Sequence, residues 1–139
     1  VTGVVVLLVA VVVSALGALA MRWKNGRFSA VPDDREVLSP AQLGSPLGER
    51  ATMVQFSSAF CSPCRATRVL LNDIAAKVEG VTTVEIDAEQ RLELVRELGI
   101  MRTPTVLVLD ARGVVTTRAS GLPRREQVLA ALGRAVDVP

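Results

Sequence analysis

The sequence predicts an α/β domain, a central mixed sheet flanked by helices, preceded by one N-terminal transmembrane helix. Three observations predict it. The first 21 residues carry no charged side chain, the later segments alternate in the order β–α–β–α–β–β–α, and both cysteines of the chain lie where a strand gives way to a helix. Half of the residues are apolar but only 3% are aromatic, so Val, Leu and Ala must supply most of the buried surface.

Residues 1–21, "VTGVVVLLVAVVVSALGALAM", would reach about 31 Å as a helix, against roughly 30 Å of bilayer hydrocarbon. A core helix is the poorer reading because the run has no polar face. Ala18-Leu19-Ala20 fits a small-x-small cleavage site, but a signal peptide places its basic residues before a shorter apolar stretch. Here Arg22, Lys24 and Arg27 follow the run, with Trp23 as an interfacial anchor. We therefore expect a retained transmembrane helix over 1–21, a basic juxtamembrane segment and linker over 22–34, and a folded domain over 35–139. The positive-inside rule puts the basic flank, and the domain after it, on the cytoplasmic face of a single-pass protein, the alternative being an extracytoplasmic domain. Beyond this cluster 13 basic residues face 14 acidic ones, a net charge of −1 that offers nucleic acid no phosphate-binding surface.

The remaining elements follow in order. Residues 25–37 read as a polar, turn-rich linker. Ser39 is a helix N-cap with Pro40 at the first helical position. Residues 51–58 form a buried strand. A helix follows from Cys61 or Ser62 to about Val78, with Val69, Leu70, Ile74 and Val78 on one face, and Gly80 stops it. Residues 81–88 are a β-branched strand. A second helix spans 89–98, with Leu92, Val95 and Leu98 inward and Gly99 at its end. Residues 104–120 give two strands around a turn at 110–113, and an amphipathic helix with Pro123 near its start closes the chain. The first strands need a helical crossover and pair in parallel, whereas the last two form an antiparallel hairpin.

Cys61-Ser62-Pro63-Cys64 at the start of a helix carries specific chemistry. The first thiol sits beside unpaired backbone N–H groups at the positive end of the helix dipole, which lowers its pKa and makes Cys61 the attacking thiolate. Cys64 lies one turn inward, close enough to form a disulfide and shielded by packing. Pro63 has no N–H to lose in the first turn and fixes φ for the helix. Cys61 attacks a substrate disulfide, and Cys64 then attacks the mixed disulfide and releases the reduced substrate. Structural zinc normally takes four Cys or His ligands, so two cysteines without histidine exclude a complete intrachain site. No metal and no cofactor is expected. Metal shared between chains, and two inert core thiols, are the remaining alternatives.

With "FCSPC" after a strand, "RTPT" at 102–105 before another, and a hairpin followed by Gly121, the chain resembles the thioredoxin superfamily over roughly residues 35–137. The resemblance implies a thioredoxin-like fold, a cis bond at Pro104 lying against the active-site disulfide, and substrate docking by Thr103 and Pro104. Phe60 stands where the family's archetype has Trp, Ser62-Pro63 where it has Gly-Pro, and Gln55 where it has a buried Asp that assists proton removal from the second thiol. The Lys that partners that Asp falls at Thr83. Loss of both partners together is coherent, because losing one alone leaves an unpaired buried charge. Gln55 cannot act as a base and is expected as a polar group under the site.

The expectation is a membrane-tethered protein-disulfide oxidoreductase, with a protein or small-molecule disulfide as substrate and an upstream thiol reductase or membrane electron donor as its partner. A cytoplasmic domain would work as a reductant, because that compartment keeps thiols reduced. Sulfur transfer from a persulfide, or a binding and assembly module using the apolar rim from Phe60 to Thr103, are the alternative readings. Arg65, Arg68, Arg124 and Arg125 are read as solvated surface, and Asp87, Glu89 and Glu93 as turn and helix-start acids without metal-loop spacing.

Overall fold

All seven residues of strand β2 (Ala51–Ser57) are buried, and the domain is built around that strand in the computed structural model, which describes residues 1–30 and 36–137. On one side β2 runs parallel to β3 (Val81–Asp87), and helix α3 (Ser62–Lys77) makes the crossover that a parallel pair requires. On its other side it pairs antiparallel with β4 (Thr105–Asp110), which turns back into β5 (Val115–Ser120). Asp110 builds that turn, its Oδ1 accepting from the backbone N–H groups of Arg112 and Val114. A two-residue strand β1 (Ser29–Ala30) completes the sheet in the order β1-β5-β4-β2-β3.

The pleat sends alternate side chains to opposite faces. Val54, Phe56, Leu107 and Leu109 pack on the side covered by the short helices α2 (Pro40–Leu43) and α4 (Leu92–Glu97). Met53, Val106 and Val108 pack on the side of α3 and α5 (Arg125–Val136). Because both faces are covered, β2 and β4 are buried along their whole length, while β5 alternates buried and half-buried residues. The sheet thus has the parallel crossover and antiparallel hairpin that the order of elements predicts, and the thioredoxin-like fold that the resemblance implies.

Ser39 caps α2 as expected. Its Oγ accepts from Gln42 N–H at 3.2 Å, and Gln42 Oε1 accepts from Ser39 N–H at 2.9 Å. Other expectations need correction. The inner face of α3 is Cys64, Thr67, Leu71 and Ile74, and Val69 is 66% exposed. The 3.6-residue period that passes through Ile74 runs back through Leu71 and Thr67, which puts Val69 on the opposite side. Helix α4 begins at Leu92, not at 89. Asp87 holds the preceding turn, with Oδ1 accepting from Glu89 N–H and its carbonyl from Gln90 N–H. Leu92 is consequently exposed, and Leu94 takes the inward position beside Leu98.

Part of the predicted linker is also structured. Phe28 packs on the α5 side of the core, Ser29 and Ala30 pair with Arg118 and Thr117 of β5, and Val37 bridges Val114. An open sheet edge presents unpaired N–H and C=O groups, and this segment supplies partners for them. Residues 31–35 of the predicted linker lie outside the described residues.

Helix α1 (Thr2–Lys24) buries none of its side chains. Among the described residues it is the one helix long and apolar enough to cross a membrane. Its 23 residues give about 35 Å of length.

On the outer face of the domain Asp73 accepts from Arg125 at 2.6 Å and from Lys77 at 3.1 Å. The Arg125 guanidinium foremost, and then Lys77, hold its carboxyl below the usual aspartate range. A depressed folded-state pKa stabilises above the unfolded pKa and is lost as pH falls through the folded one. Asp73→Asn should lower Tm by a few degrees at most at neutral pH. That difference should close on acidification through the carboxylate range, as followed by thermal melts.

Candidate active site

Three strands deliver their ends to one edge of the sheet. Phe56 pairs with Thr105, and Thr105 with Ser120, so the exit of β2, the start of β4 and the end of β5 lie together. The chain leaves β2 at Ser57, turns over Ser58–Phe60 and enters α3, with Cys61 as its N-cap residue. Cys61 has extended backbone (φ −125°, ψ 97°), which turns its sulfur back over the first helical turn, where it accepts from Cys64 N–H at 3.2 Å. Cys61 and Cys64 form a disulfide across Cα atoms 5.2 Å apart.

The two sulfurs differ in environment. Cys61 is partly exposed, whereas Cys64 is 1% exposed beneath the first turn of α3. Ser62 and Pro63 are exposed on the turn between them. Pro63 needs no amide partner at the helix start, and its carbonyl accepts from Thr67 Oγ1 at 2.8 Å. Gln55, 1% exposed on β2, donates from Nε2 to the Cys64 carbonyl at 2.8 Å. The bond gives Nε2 its partner and ties the inner cysteine to the central strand. An incoming group meets Cys61, while Cys64 is reached only from within.

The loop before β4 closes the site. The Thr103–Pro104 peptide bond is cis, and Pro104 is buried. Thr103 Oγ1 and Ser58 Oγ share a hydrogen bond of 2.9 Å, which joins this loop to the one leading into Cys61. The Pro104 carbonyl accepts from Gly121 N–H at 2.8 Å, joining it to the end of β5. Phe60 and Met101, one in each loop, are almost wholly exposed apolar side chains.

Gln55 thus contacts Cys64 directly, and Thr103 reaches the approach to Cys61 through Ser58. Sequence reasoning missed Ser58, Met101 and Glu89, whose Oε1 accepts from Ala59 N–H at 3.3 Å. Met101 was findable as an apolar residue beside "RTPT". The Ser58 and Glu89 contacts join loops 45 and 30 residues apart, and no local pattern marks them. Arg68 lies on the solvated face with its guanidinium on Glu85 at 2.6 Å, and no described Cys, Asp or Glu cluster forms a metal site.

The protein-family model described as Thioredoxin matches residues 40–133. Thioredoxin domain-containing protein 2 of Homo sapiens is 43% identical over 58 residues, 42% of this chain and 10% of that protein. The corresponding Mus musculus protein is 31% identical over 65% of this chain and 17% of its own length, so the chain spans only a small part of these relatives. Thioredoxin of Alicyclobacillus acidocaldarius is 31% identical over 61% of this chain and 81% of that protein. Among solved structures, a mutant thioredoxin from Halobacterium salinarum superposes with a TM-score of 0.58 at 15% identity, over 66% of this chain and 79% of the other, a likeness of fold alone. Spinach chloroplast thioredoxin f gives 0.55 at 25% identity, over 63% and 78%.

Proposed function

The chain belongs to the thioredoxin family, and from that premise we propose that it is a membrane-tethered thiol–disulfide oxidoreductase that reduces substrate disulfides through Cys61 and Cys64. Family and cysteine pair together support thiol–disulfide exchange in general. The tether, the direction and the residue roles are the finer part of the reading. The observation that carries it is the asymmetry of the pair, with a partly exposed outer cysteine at a helix N-terminus and an inner cysteine buried one turn below.

In the reduced protein, the free N–H groups of the first α3 turn stabilise a Cys61 thiolate. That thiolate attacks one sulfur of a substrate disulfide and expels the first substrate thiolate, leaving a mixed disulfide. Cys64 then loses its proton and attacks the Cys61 sulfur, and the second substrate thiolate leaves. The substrate gains two electrons and the protein keeps the Cys61–Cys64 disulfide. An upstream thiol reductase or a membrane electron donor restores the dithiol. Thr103 and Pro104 form the docking edge for substrate backbone, and Phe60 supplies apolar contact. Ser62 and Pro63 set the spacing of the thiols. Gln55 positions Cys64 and, unlike a carboxylate, leaves its deprotonation to water.

In this reading residues 1–21 cross the membrane once, 22–34 follow on its cytoplasmic side, and 35–139 form the redox domain there. The exposed α1, uncharged as far as Met21, and the basic residues Arg22, Lys24 and Arg27 at and just after its end support that arrangement. The test has two arms. Purified full-length protein in detergent should accelerate reduction of a protein disulfide by dithiothreitol, and no acceleration over the thiol alone would defeat the redox assignment. In cells briefly treated with a permeant reductant, a membrane-impermeant maleimide should label Cys61 only after the membrane is opened. Labelling of intact cells would reverse the orientation.

A further inference from the structure

We infer that the active-site end of the domain is fastened face-down at the bilayer surface, so that its substrates are disulfides held at headgroup level on membrane-embedded partner proteins. The inference rests on the membrane and redox readings proposed above.

The last turn of α1 does not lead into a free tether. Gly26 N–H donates to the Ser120 carbonyl at 2.7 Å, and Arg102 Nη2 donates to Asn25 Oδ1 at 2.9 Å. Ser120 is the final residue of β5, and Arg102 lies two residues before Pro104. The helix therefore ends on the rim that carries the disulfide. Phe28 and the β1–β5 pairing hold the same segment further along. Gly26 is buried with φ +73°, and a Cβ there would meet the Leu122 carbonyl oxygen. Only glycine permits this close approach.

Depth follows from the sequence. The apolar run ends at Met21, so the last helical residues Arg22–Lys24 rise about 4.5 Å through a headgroup layer roughly 6 Å thick, and Asn25 and Gly26 follow at its outer boundary. Two residues of chain extend about 7 Å at most, which keeps Pro104 within about one headgroup-layer thickness of Arg102. The charges fit this placement. Lys24, Arg27, Arg102 and Arg118 line a cleft of about 410 Å³ beneath the end of α1, and no described carboxylate lines it. Trp23 stands exposed beside them. Cations and an indole facing a bilayer surface meet lipid phosphates and the interface that tryptophan favours. A soluble protein substrate must reach the thiols past the membrane, whereas a disulfide at headgroup level already lies in their plane.

The test uses the full chain in liposomes of phosphatidylcholine and phosphatidylglycerol, reduced beforehand and freed of reductant. It is given one disulfide peptide in three forms, free in solution, lipid-linked through a short spacer, and lipid-linked through a long flexible spacer. One turnover transfers the two electrons of the Cys61–Cys64 dithiol to the peptide. The short-spacer form should react at least fivefold faster than the long-spacer form. Gly26→Val, and independently Asn25→Ala, should shrink that preference while leaving the rate on free peptide unchanged, which also shows that the variants are folded. Equal rates on both spacers, or an undiminished preference in Gly26→Val, would overturn the inference. Loss of wild-type protein from the membrane in carbonate would overturn the membrane reading, and no reaction with free peptide the redox reading. Either loss takes the inference with it.

Discussion

Cys61→Ser is expected to abolish disulfide reduction, a loss of at least about a thousandfold set by the poor nucleophilicity of a serine hydroxyl at neutral pH. Cys64→Ser should behave differently. The outer thiolate still attacks, but nothing beneath it resolves the product, so a mixed disulfide with substrate accumulates and multiple turnover fails. The asymmetry of burial makes this more than a generic expectation for two cysteines. Cys61 is the sulfur a substrate can reach, and Cys64 is 1% exposed. Mass spectrometry of the two variants after incubation with a disulfide peptide reads the outcome directly. A peptide adduct on Cys64 in Cys61→Ser, at the rate seen on Cys61 in Cys64→Ser, would show that the roles are reversed.

Replacing Gln55 by Asp should cost roughly 3 kcal/mol of stability at neutral pH, the scale of an uncompensated buried charge. Gln55 is 1% exposed, and its amide donates to the Cys64 carbonyl. A protonated Asp can donate a similar bond, but an ionised one cannot. Burial raises the folded-state pKa of the introduced carboxyl above its unfolded value near 3.9. The native state then binds more protons than the unfolded state, so stability relative to wild type falls as pH rises through that window and stays low above it. Urea melts at mildly acidic and mildly alkaline pH measure the difference. Thr83 pairs with Met53 while Gln55 pairs with Glu85, which places Thr83 two positions along the same face of the sheet. Adding Thr83→Lys to Gln55→Asp should recover part of the loss. A cost independent of pH would show instead that the strand tolerates an ionised carboxylate there.

Much of the candidate site was legible because it is local. Cys61, Ser62, Pro63 and Cys64 are contiguous, and the strand-to-helix switch around them is written in the change from "ATMVQF" to helical spacing. Thr103 and Pro104 were legible only through family resemblance, since nothing in residues 102–105 alone says that this loop meets Ser58. The side chains that face inward were harder. Val69 and Leu92 are apolar and helically spaced, yet both are exposed. A mixed helix surface offers more than one plausible stripe, and the sheet beneath chooses between them.

By itself the sequence determined the order of the elements from β2 to α5, the uncharged helical run up to Met21 and the cysteine pair at the start of α3, because periodicity, capping and the absence of charge act over a few residues. Only the tertiary structure decided that the segment after α1 closes the β5 edge and that Gly26 carries the helix end onto the active-site rim. A sheet edge seeks any backbone able to pair with it, and backbone hydrogen bonds leave no mark on side-chain pattern. Residues 25–30 therefore read as a linker in one dimension and as a fastening in three.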